Sequence, residues 1–213
     1  MRLILALAAS LLVAGCGRAQ GNGAAAAPPP GKAVTLALVA PRNAAKITVS
    51  SAAVGPDGAF ARSYSNYGDN TSPPLSWTPV AGAVSYAFVL EDPDAPGEAP
   101  FIHWAIWNIP ATATSLPAGI TGGPKATAPG NAIQGLNGVG DVGYFGPRPP
   151  AGTGAHHYHL QVFARDAPLG LASGAQLGDL KAAMKGHVLA DGELVATMAA
   201  ASATAAPAAP AAP

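Results

Sequence analysis

Charge is scarce in this sequence of 213 residues, which holds 11 Lys and Arg, 11 Asp and Glu, and no formal net charge. No basic run is present, so the sequence does not support a nucleic-acid-binding surface. Cysteine is limited to Cys16, which leaves no partner for a disulfide within the chain. The apolar run from Leu3 to Val13 is too short to span a bilayer as a helix. The length suits one domain with a real core and is short for two.

The N-terminal residues resemble a bacterial targeting segment. Arg2 precedes the apolar run, which ends in Val13-Ala14-Gly15-Cys16. This tetrapeptide resembles the lipobox of bacterial lipoproteins, in which the cysteine becomes the lipidated first residue of the mature protein. We therefore predict a signal peptide over residues 1–15 and a lipid on Cys16 that holds the protein on a membrane surface without spanning it. The predicted location is the periplasm-facing side of the cell envelope. Gly17 is not the Asp associated with inner-membrane retention, which favours the outer membrane.

Composition divides the rest of the chain into three parts. Residues 16–32 are rich in Gly, Ala and Pro and are predicted to form a flexible tether. Residues 199–213 form an Ala/Pro tail that is predicted to be disordered. The folded domain is expected between them, over residues 33–198.

Within that domain, short β-like runs alternate with turns rich in Gly and Pro. Strands are predicted over residues 46–50, 85–90, 101–109 and 158–164. Leu177, Leu180 and Met184 have helical spacing and predict a helix over residues 176–185, and a short second helix is expected around residues 192–198. The predicted fold is mostly β: a two-sheet antiparallel sandwich with short C-terminal helices.

Two short blocks concentrate the polar chemistry. Asp92-Pro93-Asp94 is followed by His103, and Gly152-Thr153-Gly154 precedes a histidine-rich strand. Alternation along that strand places His156 and Tyr158 on one face, with His157 and His159 on the other. If the blocks meet in space, two imidazoles, one phenol and the amides of the glycine loop are donors suited to an oxyanion. The aspartates could fix a histidine tautomer or meet an ammonium group. Each feature also has a structural interpretation, because Asp-Pro-Asp alone is a common turn.

Several stretches together resemble the phosphatidylethanolamine-binding proteins, specifically their bacterial Raf-kinase-inhibitor-like branch. The order and spacing of these stretches fit across roughly residues 46–197. They are Gly68-Asp69-Asn70-Thr71-Ser72-Pro73-Pro74-Leu75-Ser76-Trp77, Glu91-Asp92-Pro93-Asp94-Ala95-Pro96, His103-Trp104, Asn108-Ile109-Pro110, Gly143-Tyr144, Gly146-Pro147-Arg148-Pro149-Pro150 and Gly154-Ala155-His156-His157-Tyr158.

The resemblance implies a two-sheet β fold with a small anion pocket at one end, which binds phosphate-like groups or phosphoethanolamine headgroups. No cofactor and no catalytic residue are implied. By carry-over, the ligand-binding residues would be Asp92, Asp94, Pro96, His103, Pro149, Gly154, His156 and Tyr158. The chain departs from the family pattern at Tyr67, where a Cys is common, and at His157, where an Arg is usual. It also has Ala196-Thr197-Met198 in place of Gly-Thr-Tyr, so an aromatic lid from the C-terminus is missing.

Three functions compete at this level. A binding module for a small phosphorylated or anionic ligand is the leading hypothesis, and a binding protein is favoured over an enzyme. The alternative is a metal-dependent hydrolase in which Asp92 or Asp94 joins His103 and His156 as ligands. A third role is regulation of an envelope partner protein through the same pocket. Serine catalysis is disfavoured because no Gly-x-Ser-x-Gly stretch occurs.

Overall fold

Two antiparallel sheets make up the fold in the computed structural model, which describes residues 32–123 and 127–200. The larger sheet has five strands in the order β6-β4-β3-β7-β8, and the smaller has three in the order β1-β2-β5. The strands are β1 Val49–Ser50, β2 Leu75–Trp77, β3 Ser85–Asp92, β4 Phe101–Pro110, β5 Ser115–Leu116, β6 Ile133–Gln134, β7 Ala155–Arg165 and β8 Val188–Ala199. The helices are α1 Thr35–Leu38 and α2 Leu177–Met184, with 3-10 turns at Arg62–Tyr64 and Pro129–Asn131. This architecture confirms the predicted mostly-β, two-sheet fold.

The larger sheet is covered on both faces, which explains why β3 is buried along its whole length. Phe88 and Leu90 of β3 face the smaller sheet and pack in a core that includes Trp77 and Leu116. Ala87 and Val89 point the other way. On that second face the covering residues are the predicted helical trio Leu177, Leu180 and Met184. The helix predicted from their spacing is therefore α2, within one residue of the expected ends.

The second C-terminal helix expected around residues 192–198 is wrong. Those residues belong to β8, which pairs antiparallel with β7 from Ala155↔Ala199 to Arg165↔Val188. A tertiary contact accompanies this strand: the backbone of Ile47 packs so closely on Gly192 that a Cβ on residue 192 would lie 1.9 Å from the Ile47 carbonyl oxygen. The segment that forms this close approach also donates from Ile47 N to Asp191 O at 2.8 Å. Of the strand predicted over residues 46–50, only Val49–Ser50 forms a strand, β1, whereas Ile47 makes this contact with β8.

Some expectations fall on residues that the structure does not describe. The signal peptide, Cys16, nearly all of the tether and the tail after residue 200 lie outside the described ranges. Among the residues that are described, no helix has the length and apolarity needed to cross a membrane.

Candidate anion-binding pocket

Three adjacent strands bring the polar blocks together. β3 lies between β4 and β7, and Asp92 is its last residue. His103 comes from β4 and His156 from β7. Leu90 pairs with Trp104 and Glu91 pairs with Ile102, so His103 is the extra residue of a β-bulge. Bulges redirect side chains, and here Ile102 packs on the α2 side of the sheet while Trp104 enters the core between the sheets.

Asp92 is the buried carboxylate of the pocket and uses both oxygens. Oδ1 accepts hydrogen bonds from the backbone N–H groups of Asp94 and Ala95, at 2.9 and 3.0 Å. Oδ2 lies 2.7 Å from His156 Nδ1, in a pair whose two side chains are both almost fully buried. Asp92 therefore has a structural role and a role in the pocket, because the carboxylate that closes the Asp-Pro-Asp turn also orients a histidine.

The second nitrogen of His156 is also engaged. Nε2 lies 2.8 Å from Thr153 Oγ1, and that hydroxyl lies 2.8 Å from the Pro150 carbonyl oxygen. The hydroxyl has one proton, which it can give either to the Pro150 carbonyl or to Nε2 of His156. Both ring nitrogens of His156 are thus engaged within the protein, Nδ1 with Asp92 and Nε2 with Thr153.

His103 has the opposite character. Its Nδ1 lies 2.6 Å from the Phe145 carbonyl oxygen and must be the donor there. Burial lowers the pKa of His103 to about 4, although the Phe145 carbonyl and the charge of Asp92 oppose that shift. The ring is therefore neutral near pH 7, and its Nε2 is a lone-pair acceptor with no partner among the described residues. The expectation that both imidazoles donate to an oxyanion is wrong for His103, because a backbone carbonyl takes its only proton.

Tyr158 packs beside these rings. Its ring lies at 5.2 Å from that of His103 in a T-shaped arrangement, and it is stacked at 6.5 Å from that of His156. Burial raises the pKa of the Tyr158 phenol, and the negative charge of Asp92 raises it further. Its hydroxyl is buried and has no hydrogen-bond partner within the described ranges.

A proline-rich segment, residues 145–150, forms the wall opposite the strands. Asn70 Oδ1 accepts from Gly146 N at 2.7 Å, and Asn66 N donates to Pro147 O at 2.9 Å. Tyr67 donates its hydroxyl to the Pro149 carbonyl. The wall is thus fastened by the loop that contains the Gly-Asp-Asn stretch, which gives that stretch a structural role.

These groups surround a cavity of about 280 Å³. Five of the eight predicted site residues line it: Asp92, Pro96, His103, Pro149 and His156. The remaining lining residues are Ala95, Phe101, Val139, Phe145, Arg148 and Pro150. The lining is mostly apolar, and its ionisable groups are one carboxylate, two imidazoles and one guanidinium.

The fold agrees with the comparisons to known proteins. The family model described as phosphatidylethanolamine-binding protein matches residues 50–199. This chain belongs to the phosphatidylethanolamine-binding protein family. A UPF0098 protein of Pyrococcus horikoshii is 44% identical over 133 residues, which are 62% of this chain and 66% of the relative. LppC of Mycobacterium tuberculosis, named as a candidate lipoprotein, is 35% identical over 170 residues, or 79% of this chain and 81% of LppC.

The fold is also that of a solved bacterial family member. The crystal structure of Escherichia coli YbcL, described as a new member of the mammalian family, superposes with a TM-score of 0.65 at 31% sequence identity. The match covers 74% of this chain and all of that one, at 100%.

Three of the residues carried over from the family do not line the cavity in this chain. Asp94 Oδ2 instead accepts from the backbone N–H and the Nδ1 of His157, at 2.8 and 2.7 Å. Burial raises the pKa of Asp94, but the hydrogen bonds from His157 outweigh that effect and lower it below its usual value. Gly154 is exposed, with a φ of 85°, and Tyr158 packs behind the lining. The substitution of the usual family Arg by His157 thus provides the partner of Asp94.

Sequence reasoning missed Arg148, Phe101 and Phe145 as lining residues. Arg148 belongs to the proline-rich stretch, but nothing in the local sequence indicates that its side chain is exposed beside a cavity. Phe101 and Phe145 pack at 4.8 and 6.3 Å from the His103 ring, respectively, measured between ring centroids. The signal for Phe101 was its position two residues before His103 on a strand.

The metal-ligand arrangement has no support in this geometry. Residues 32–123 and 127–200 contain no group of three His, Cys, Asp or Glu side chains that could hold a metal ion. A histidine binds a metal through a free lone pair, whereas both ring nitrogens of His156 are taken up by hydrogen bonds within the protein.

Proposed function

We propose that this protein is a binding module whose pocket holds phosphate-like anions, including phosphoethanolamine-type headgroups. The observation that carries the proposal is the guanidinium of Arg148, which lines the cavity and pairs with no carboxylate among the described residues. The Asp92 carboxylate on the same lining is already satisfied by the backbone of Asp94 and Ala95 and by His156. Arg148 is therefore the charged group that the lining offers to a ligand.

The shape of the pocket supports a small anion. A volume of about 280 Å³ is slightly below the range typical of drug-sized ligand sites. The aromatic and proline walls are apolar, and electrostatic interactions are stronger beside apolar surfaces than in bulk solvent. Arg148 is exposed at this site and forms no ion pair with any described residue, so its five donors are free for an oxyanion.

The test is calorimetric titration of the full-length chain, purified in detergent, with inorganic phosphate and with phosphoethanolamine at pH 6 and pH 8. We expect saturable binding to the wild type. In an Arg148→Gln variant we expect a loss of about 10- to 100-fold in affinity, the worth of a hydrogen bond to a charged group. Because Arg148 is exposed, the variant is expected to fold normally.

Arg42→Gln is the matched control. Arg42 is also an exposed guanidinium, but it pairs with Asp166 at 2.7 Å and does not line the cavity. This control should bind phosphate as tightly as the wild type. An absence of saturable binding at both pH values, or equal affinities in the Arg148 and Arg42 variants, would contradict the proposal.

The same proposal includes a location. The lipobox-like residues end at Cys16, and the relative LppC is named as a candidate lipoprotein. We place the pocket on a lipid-anchored domain at the bacterial cell envelope, facing the periplasm. Regulation of an envelope partner protein and residence in the outer membrane stay predictions from the sequence.

A further inference from the structure

His103, on the lining of the pocket, offers an unpaired acceptor that restricts which ligands can bind. His103 donates through Nδ1 to Phe145, so only the lone pair of Nε2 is available to a ligand. That atom is buried and has no partner in the part of the chain that the structure describes. A fully deprotonated oxyanion presents lone pairs alone, and a lone pair facing Nε2 is repelled.

We propose that the pocket selects the singly protonated form of a phosphate or phosphonate monoester, whose P–O–H group donates to Nε2 of His103. This inference rests on the proposed function, since it specifies the protonation state of the anion that the pocket holds. The remaining negative charge of the ligand faces Arg148. Such an arrangement satisfies a buried acceptor that would otherwise be unpaired, and a ligand that leaves it unpaired is expected to bind about 5- to 150-fold more weakly.

The ionisable groups around His103 come from every side of the pocket. Asp92 lies at the end of β3, His156 and Tyr158 lie on β7, and Arg148 lies on the proline-rich wall. Asp92 is already paired with His156 and has no proton to offer. Tyr158 has a buried proton that it gives to no other described residue, but its hydroxyl and Nε2 of His103 are not hydrogen-bonded to each other. A proton on the ligand is therefore the donor that fits.

The expected effect follows from the ligand's own acid–base equilibrium. A phosphate ester has a second pKa of about 6, so at pH 8 only about one molecule in 100 is singly protonated. Apparent affinity falls in proportion to the competent fraction, here about 100-fold. At a fixed pH, ligands of lower second pKa are expected to bind about tenfold more weakly for each pKa unit.

The experiment holds the protein constant and varies the ligand. Full-length protein in a phosphorus-free detergent is titrated at pH 8 with alkyl phosphonates of similar size whose second pKa values differ by fluorination. Phosphorus NMR then compares the chemical shift of each bound phosphonate with those of its free monoanion and dianion. Dimethyl phosphate carries one negative charge but no P–O–H group, so it tests whether charge alone is sufficient for binding. Ethyl phosphate lacks the ammonium group of phosphoethanolamine, so a comparison of these two ligands tests whether an ammonium group is the donor to His103.

The outcomes are distinct. A bound shift at the monoanion position, with affinity following the second pKa and weak binding of dimethyl phosphate, supports the inference. A dianion shift with affinity independent of pKa overturns it and leaves the proposed function standing. Binding of phosphoethanolamine but not of ethyl phosphate also overturns it, in favour of an ammonium donor. Failure of every ligand to bind refutes the proposed function itself.

Two variants provide a second readout. His103→Phe removes the acceptor while keeping an aromatic ring among Phe101 and Phe145, so its residual binding should lose the dependence on ligand pKa. Tyr158→Phe removes the other unpaired polar atom and is expected to bind more weakly with the dependence intact. If the dependence of affinity on ligand pKa disappears in Tyr158→Phe and persists in His103→Phe, the P–O–H group interacts with Tyr158 and the inference is overturned. The ligand series on the wild type remains decisive if either variant does not fold.

Discussion

Replacing His103 by Phe should change how the stability of this protein depends on pH. In the folded chain burial lowers the pKa of this histidine to about 4, whereas its ordinary value is 6.5. Between those values the unfolded chain binds a proton that the folded chain excludes. Stability therefore rises with pH in this window: the contribution is fully present above pH 6.5 and is lost as pH falls towards 4.

The size of the effect follows from that interval. At about 1.4 kcal/mol for each pH unit, the range from 6.5 to about 4 is worth about 3 kcal/mol of unfolding free energy. The His103→Phe variant has no such proton and lacks this loss. It also leaves the Phe145 carbonyl without its donor, which costs about 1–3 kcal/mol at every pH. The variant is thus expected to be less stable than the wild type at pH 7 and to become relatively more stable as the pH falls.

Urea unfolding of the full-length chain in mild detergent, followed by tryptophan fluorescence at a series of pH values from 4 to 7.5, measures this difference. Trp104→Phe is the matched control, because Trp104 is equally buried and its Nε1 donates to the uncharged Gln134 at 2.7 Å. That control should be destabilised by a constant amount across the series. A free-energy difference between His103→Phe and wild type that does not change with pH would refute the assigned protonation state.

Two further predictions concern the fold and the anchor. Gly192→Ala should destabilise the protein by at least about 2 kcal/mol in urea unfolding, since its Cβ would meet the backbone of Ile47. Gly178→Ala, in α2 with nothing within 4 Å, should instead be neutral or stabilising by up to about 1 kcal/mol, and equal effects of the two changes would contradict the packing argument. Cys16→Ser should release the protein from the membrane fraction of bacterial cells and abolish labelling by radioactive palmitate, because the lipid is attached through sulfur. Unchanged sedimentation with membranes would exclude the lipid anchor.

Three strands of the larger sheet, β3, β4 and β7, were predictable because each carries its own local signal. β3 reads as a continuous apolar run, which is what a strand covered on both faces requires. The spacing of Leu177, Leu180 and Met184 identified α2 because all three face one core cluster. Residues 192–198 were misjudged because their local sequence suits either state. Pairing with β7 along the whole strand decides the outcome, and that information lies about thirty to forty residues away in the chain.

The sequence could predict which residues come together in the site, but not which of their atoms donate and which accept hydrogen bonds. Alternation on β7 placed His156 toward the pocket and His157 toward solvent, as the structure shows. The roles of Asp92 and Asp94 could not be separated by the sequence, because each lies near a different histidine of β7. Asp92 pairs with the buried His156, and Asp94 pairs with the exposed His157.

The two pocket histidines show why residue type alone does not determine chemistry. His156 meets a carboxylate on one nitrogen and a hydroxyl on the other, so both nitrogens are engaged within the protein. His103 meets a backbone carbonyl on one nitrogen and nothing on the other. The first ring is consequently closed to a ligand and the second offers a lone pair, although both were expected to donate. A ligand that meets both His103 and Arg148 would carry a proton and a negative charge together, which is a narrower requirement than being an anion. Thr153 and Phe145 set the roles of the two rings, although the side-chain chemistry of neither residue suggests a part in binding.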